Sequence, residues 1–360
     1  MRLSDIFTAR SIATYFDTAE ERLNNTYLSD MFFPAEKKLG LDLKWIKGRS
    51  GLPVTLAPCT FDAERNVRDR IGVTAIQTEM PFFSEVMLIT ESDRQEINRA
   101  RDSADPYVAT VISRIYNDTR ELVRGAKVVP ERMVNQLLSP ADGSPKISIV
   151  SGDTAYNYNY DVDGTFATTN FMAKSGTAAW TDYTNSDPLA DIEAGMDAVK
   201  TATGEVPEVL ILSTKTLNDL KSNVNVQSYI VSKATATGGT VRITKKLVKD
   251  YLFDEFGLTV LEKSDKFIDD NGDAQAFFPD DIATLVPATF LGNTWYGTTP
   301  EESDLMANPE ADVAIVDTGV AITVITPAKV PVKTETVASE IVLPSFEGMD
   351  KVFIINTNAE

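Results

Sequence analysis

Few residues in this chain are of a type and spacing that could do chemistry. Asp269, Asn271 and Asp273 have the spacing of a calcium-binding loop, in which alternating oxygens wrap a hard cation. Position six of such a loop needs glycine for its sharp turn, but Ala274 stands there, and no glutamate stands at position twelve. The stretch reads as a hairpin turn. Glu301-Glu302 and Asp280-Asp281 are paired carboxylates, which can divide acid and base roles in hydrolysis. Nothing around them marks a buried site, so exposed turns are the better reading. Cys59 is the single cysteine, and with no histidine in the chain it lacks the usual base for a thiolate nucleophile. It reads as a small apolar filler. Lys245, Lys246 and Lys249 make a small basic face that reads as solvated.

The lack of histidine also removes the commonest metal ligand and every Ser-His or Cys-His mechanism. One cysteine excludes an intramolecular disulfide and a cysteine-rich zinc site. The chain has no phosphate loop, no dinucleotide fingerprint and no Gly-x-Ser-x-Gly elbow. No cofactor and no catalytic residue are expected.

Charge carries more information. The formal net charge is -19, and it is unevenly spread. Residues 1–138 hold 19 Lys+Arg against 20 Asp+Glu, whereas residues 139–360 hold 15 against 33. Of the 15 arginines, 14 lie at or before Arg132. Arginine suits polar interfaces and planar ion pairs, so the first third looks built for contact. The acidic remainder argues against tight wrapping of nucleic acid and suits a surface past which packed nucleic acid slides. With 43% hydrophobic residues the chain can bury a real core. At 360 residues it should form two lobes, or one domain with large extensions. No apolar run is long enough for a membrane helix, and the N-terminus shows no secretion signal.

The elements follow from pattern. Weak helical patterns at 6–16 and 20–27 precede the apolar cluster Met31-Phe32-Phe33, which has no helix of its own to bury it and suggests an arm anchored on something else. Leu41, Leu43 and Trp45 alternate with Asp42 and Lys44, and a second run begins at Val73. Between the two lie Arg49, Arg65, Arg68 and Arg70. This is a projecting hairpin with little to bury within its own chain, and such a hairpin alone is marginal in water. Asp105-Pro106 starts a helix whose apolar residues Val108, Val111, Ile112, Ile115, Leu122 and Val123 share one face, with Arg114 and Arg124 among the polar ones. Gly125 and Pro130 interrupt it, so the long helix should end near Arg124 and a separate short helix should span 131–138. Tyr156, Tyr158, Tyr160 and Val162 give a strand, Asp163-Gly164 a hairpin turn, and 166–173 a returning strand. Residues 185–290 alternate helix and strand as a compact α/β lobe, and the last section is strand-rich.

Taken in this order, the parts resemble a tailed-bacteriophage major capsid protein of the lambda capsid protein E family. The local likeness is best at Tyr296-Gly297-Thr298-Thr299-Pro300-Glu301 and from Lys333-Thr334-Glu335 through Ser339 to Pro344. The resemblance implies an α+β, Hong Kong 97-like capsid fold. Residues 1–40 would be the N-terminal arm and 41–90 the extended loop and its return, with the hairpin at about 45–80. Residues 91–186 would be the peripheral domain with its spine helix, 187–325 the axial domain, and 326–360 strands returning to the peripheral domain.

It further implies a shell subunit that forms hexamers and pentamers of an icosahedral head around double-stranded DNA, assembled in the host cytoplasm. Met31, Phe32, Phe33, Arg49, Arg65, Arg68, Arg70, Arg114 and Arg124 would be intersubunit contacts. Partners would be further copies of the chain, a scaffolding protein, a portal and a decoration protein, with no sequence-specific DNA binding and no membrane. No scaffolding segment is visible ahead of the arm, so the scaffold is expected as a separate protein or a processed piece. Some relatives crosslink a loop lysine to a neighbour's asparagine. Here Lys44 and Lys47 sit at the loop base and arginines at the tip, so assembly should be non-covalent. The alternatives are an encapsulin-like nanocompartment shell and a histidine-free carboxylate hydrolase.

Overall fold

A computed structural model of the chain describes residues 8–10, 27–47, 74–89, 95, 107–151, 154–234, 242–269, 272–305, 311–316, 318–325 and 334–359. They divide into two compact units. The first draws on the described parts of Met1–Lys44, Gln77–Arg132 and Asn293–Ser345; the second on those of Trp45–Ile76, Met133–Gly292 and Phe346–Glu360.

In chain order, the elements begin with helix α1 (Leu28–Phe32) and strands β1 (Ala35–Lys37), β2 (Asp42–Lys47), β3 (Thr74–Glu79) and β4 (Phe82–Ile89). Helix α2 (Tyr107–Leu138) follows, then β5 (Lys146–Ser151), β6 (Thr154–Asn159), α3 (Thr165–Thr169) and β7 (Phe171–Ala173). Next come α4 (Pro188–Thr203), β8 (Val209–Ser213), α5 (Thr214–Ser222), α6 (Val224–Ala234), α7 (Lys245–Phe256) and β9 (Thr259–Lys263). The chain ends with β10 (Lys266–Ile268), β11 (Ala274–Ala276), β12 (Ile282–Val286), β13 (Thr294–Tyr296), β14 (Ala311–Val316), β15 (Val320–Ile325), β16 (Thr334–Pro344) and β17 (Phe353–Asn356).

The first unit is built on a six-stranded sheet around β16. One edge of β16 pairs with β4 over its whole first eight residues, Thr334↔Ile89 to Ile341↔Phe82. The other edge is shared: β15 takes Glu335 to Ser339, and β13 takes Val342 to Pro344. β14 lies outside β15, and β1 outside β13. The run Val337 to Leu343 is buried on both faces, as a central strand requires.

The second unit has a mixed five-stranded sheet in the order β7-β17-β12-β8-β9. Helix α4 begins at Asp187, which accepts the Ala190 N–H at 3.3 Å, with Pro188 at the first position, and ends at Gly204 with φ 79°. Ser213 caps α5 and Thr244 caps α7 in the same way. The apolar faces of α4, α5, α6 and α7 pack with the sheet into one core: Trp180, Ile192, Leu210, Leu217, Val226, Val248, Leu285 and Phe353 are all buried there.

Three expectations are corrected. First, α2 does not break. It runs as one 32-residue helix with Pro130 inside it. Pro130 forfeits one backbone hydrogen bond, at about 3 kcal/mol, but Leu122 and Val123 before it and Met133, Val134, Leu137 and Leu138 after it are all buried. Ending the helix and starting another would cost a second nucleation and displace that apolar stripe. Two of the C-terminal carbonyls are satisfied as well: Ser139 Oγ donates to Asn135 O at 2.6 Å, and Thr284 Oγ1 to Leu138 O at 2.6 Å.

Second, the strand containing Tyr156 and Tyr158 pairs back with β5, not with a strand at 166–173. The Asp161 carboxylate accepts the N–H groups of Phe166 at 3.0 Å and Ala167 at 3.1 Å, so α3 forms where a returning strand was expected. β7 then runs parallel to β17 in the second unit's sheet. Third, the strands at 311–325, which the resemblance placed in the axial domain, belong to the sheet of β16: β15 pairs with β16, and β14 with β15. Among the closing strands, β16 lies in the first unit and β17 in the second.

Candidate intersubunit surfaces

The cluster at 31–33 does have a helix. Phe32 and Phe33 are 3% and 1% exposed, so their side chains are spent within the chain. The expectation of a cluster with nothing of its own to bury it is thereby corrected, and Met31, at 37%, is the member that faces out. The segment is pinned by polar bonds. Ser29 donates from its N–H and its hydroxyl to Glu131 Oε2 at 2.9 and 3.0 Å, and Thr294 Oγ1 donates to Phe33 O at 3.0 Å. Beyond it, Lys37 Nζ bonds Glu302 Oε2 at 2.6 Å, locking β1 to the turn after β13. This arm segment is thus anchored on its own unit by groups 102 to 265 residues away in sequence.

The hairpin arginines Arg49, Arg65, Arg68 and Arg70, and Cys59, lie outside the described residues. Of the hairpin's described part, β2 and β3 pair only with each other. Arg114 lies on α2. Arg124, on the same helix, is half-buried and bonds Glu121 at 3.0 Å, a surface pair worth only about 0.3–0.5 kcal/mol. Its guanidinium remains available to a partner.

One surface was missed by sequence reasoning. β4 is paired along one edge only, among the described residues. Phe82, Val86 and Leu88 alternate on one face and are all exposed. The period was legible, but an alternating strand is ordinarily assumed to bury its apolar face, so the exposed side could not be chosen.

The chemistry candidates resolve as structure. At a hairpin between β10 and β11 the Asp269 N–H donates to Asp273 O, and the Asp273 N–H donates to the Asp269 carboxylate, each at 2.9 Å. Asp280 accepts from Ser213 Oγ at 2.6 Å, and Asp281, at φ 61°, accepts from Lys215 at 2.7 Å. Burial lifts the Asp219 carboxyl above its usual range against the pull of the Tyr183 hydroxyl bond and Lys215, and the nearby charges of Asp281 and Asp280 lift it further. Glu301 and Glu302, expected in an exposed turn, are half-buried, because Lys37 draws Glu302 in. Lys245 and Lys249 are not simply solvated: both bond Glu262, at 2.5 and 3.0 Å. Burial opposes ionisation of that carboxyl, yet the bonds from Lys245, Lys249 and Thr214 outweigh it and hold the pKa at about 2. No group of acidic or cysteine side chains among the described residues could hold a metal ion, and no described helix is long and apolar enough to cross a membrane.

What the described residues offer is surface: an anchored arm segment, a two-stranded hairpin and an exposed apolar face on the edge strand β4. Solved structures share the overall fold. The fold is similar to that of a protein from an Escherichia coli CFT073 prophage assigned as its capsid protein, with 13% identity, TM-score 0.59 and coverage of 97% of this chain and 99% of that one. It is similar to a phage-related protein of Bordetella bronchiseptica RB50, with 13% identity, TM-score 0.54 and coverage of 98% and 97%. It is also similar to the capsid protein of cyanophage A-1(L), with 11% identity, TM-score 0.51 and coverage of 94% and 95%. The fold is therefore the Hong Kong 97-like capsid fold. The sequence model of the phage major capsid protein E family matches residues 8–316, and the chain belongs to that family. Comparison with curated proteins found no match. The chain is a capsid shell protein, structural in kind.

Proposed function

We propose that the chain assembles with further copies of itself into hexamers and pentamers of an icosahedral phage head enclosing double-stranded DNA. The observation that carries this is the β2–β3 hairpin, which finds no third strand among the described residues in a chain of the capsid family. A lone hairpin is marginal in water, so a neighbouring copy is the natural surface for it. Met31, Arg49, Arg65, Arg68, Arg70, Arg114 and Arg124 would contact neighbours, with the exposed apolar edge of β4 as a further patch against a second copy. The unit built on β16 would take the peripheral role and the unit built on β12 the axial one. The net acidity of the chain would let packed DNA lie against the shell without sequence-specific contacts. A scaffolding protein, a portal and a decoration protein are the expected partners, with assembly in the host cytoplasm.

The test is electron microscopy of the protein expressed with its neighbouring head genes. Closed hollow particles are expected. A chain that stays monomeric and folded at high concentration with scaffold present refutes the proposal. Replacing Arg65, Arg68 and Arg70 together by Ala should reduce particle yield at least tenfold while leaving the subunit's circular dichroism unchanged. Equal loss of folding and assembly would count against a loop that contacts neighbours.

A further inference from the structure

Glu340 lies in the middle of β16, fully buried, and neither carboxylate oxygen has a hydrogen-bond partner among the described residues. Its place in the sheet is a seam. On one edge β15 ends its pairing at Ser339, and β13 begins its pairing at Val342. The Gly297 N–H extends the β13 ladder by donating to Ile341 O at 2.8 Å, which brings the chain to Thr298, whose buried hydroxyl also lacks a partner. On the other edge Phe83 of β4 stands directly opposite Glu340.

The strand residues on the face that Glu340 shares carry no positive charge. β16 contributes Thr334, Thr336, Ala338 and Val342, β15 contributes Ile322 and Val324, and β4 contributes Phe83, Glu85 and Met87. The titratable groups on this face are Glu85, which is exposed, Tyr296 opposite Val342, and Asp312 two strands away on β14, which is also exposed and accepts the Ala9 N–H. None supplies a positive charge, and burial is the sole influence on the Glu340 carboxyl, raising it well above the ordinary range. An ionised, unpaired carboxylate in such a place is very costly, so the sheet closes over the neutral acid.

We propose that Glu340 is a proton-operated latch: β4 closes on β16 while the acid holds its proton, and releases when the proton is lost to solvent. β4 is the strand that must move. It is the edge strand on that side among the described residues, and Glu85, which it contributes to the face that Glu340 shares, is exposed. Because β4 follows the β2–β3 hairpin directly, the latch would link pH to the hairpin's mounting. The inference rests on the subunit alone and stands apart from the shell proposal.

The test is amide hydrogen exchange on the isolated subunit from pH 5 to 8, corrected for intrinsic rates. Opening that exposes Glu340 should lower protection at 82–89 and 334–341 about tenfold per pH unit, while the β8–β12 ladder stays unchanged. In Glu340→Gln, a neutral isostere, the slope should vanish and protection should stay high. A flat wild-type profile, or an equal fall in both units, overturns the latch. Should Glu340→Gln fail to fold, the carbon-13 titration of the Glu340 carboxyl in the wild type decides: a midpoint near the ordinary glutamate value overturns it, and a midpoint well above that value supports it.

Discussion

Glu262 offers the sharpest test of the electrostatics. It sits on β9, receives Lys245 and Lys249 from α7 and the Thr214 hydroxyl from α5, and so ties two helices to one strand. Its folded pKa is about 2, against 4.5 for the free side chain. A depressed acid stabilises the fold above its unfolded pKa and loses that contribution as pH falls through the folded one. At about 1.36 kcal/mol per unit the shift corresponds to about 3.4 kcal/mol in full. The site is open enough to water that screening leaves about 1–2 kcal/mol. Glu262→Gln should therefore lower unfolding stability by about 1–2 kcal/mol at pH 6, and the gap between wild type and variant should close as pH falls from 4.5 toward 2. Urea unfolding of both proteins across that range gives the difference directly. A gap that is constant with pH would show that Glu262 contributes packing and not charge, and would refute the reasoning. Raising the salt from 0.05 to 0.5 M should shrink the gap as well.

Other residues give simpler outcomes. Gly125 lies inside α2, and a Cβ added there meets nothing within 4 Å; Gly125→Ala should raise stability by about 0.5–1 kcal/mol, seen as a higher Tm, whereas a loss would mean that the helix is interrupted there. Phe33→Ala should cost about 3–5 kcal/mol in denaturant unfolding, while the exposed Met31→Ser should change subunit stability by less than about 0.5 kcal/mol and show its effect only in particle yield. A Cβ on Gly195 would meet Phe353 at 2.8 Å and Leu285 at 2.9 Å in the packed core; Gly195→Ala should destabilise by about 1–3 kcal/mol, and a neutral result would show that α4 can shift on its sheet.

Much of the second unit was legible because its signals are local. Asp187-Pro188, Ser213 and Thr244 each act within three residues of themselves, and Gly204 and Gly257 end their helices through their own left-handed backbone. Strand partners are not local. β16 joins strands drawn from residues 82–89, 294–296 and 320–325, and nothing in the run Thr334 to Pro344 names those partners. That is why strands grouped by proximity in sequence turned out to belong to different sheets. The arm shows the same limit: Phe32 and Phe33 looked unburied because Glu131 and Thr294, which hold their segment, are 102 and 261 residues away. The hairpin arginines lie outside the described residues, so their contacts rest on the proposal alone.

Pro130, misread as an interruption, and Glu340 share one physical feature. Each is a residue whose local preference opposes its element: proline in a helix, an acid in a strand buried on both faces. Local rules weigh them as breaks. The chain overrides both because the apolar surface on either side is continuous, with Leu122 and Val123 before Pro130 and Met133 to Leu138 after it, and with Val337 and Ala338 before Glu340 and Ile341 to Leu343 after it. The override differs in kind, however. Proline's penalty is constant with pH, so α2 simply carries it. The penalty at Glu340 grows with every unit of pH above the unfolded value, because only the folded state must keep the proton. A sequence pattern that reads as the same local conflict in both places therefore yields a fixed cost in the helix and a variable one in the sheet. Only the variable cost can be put to regulatory use.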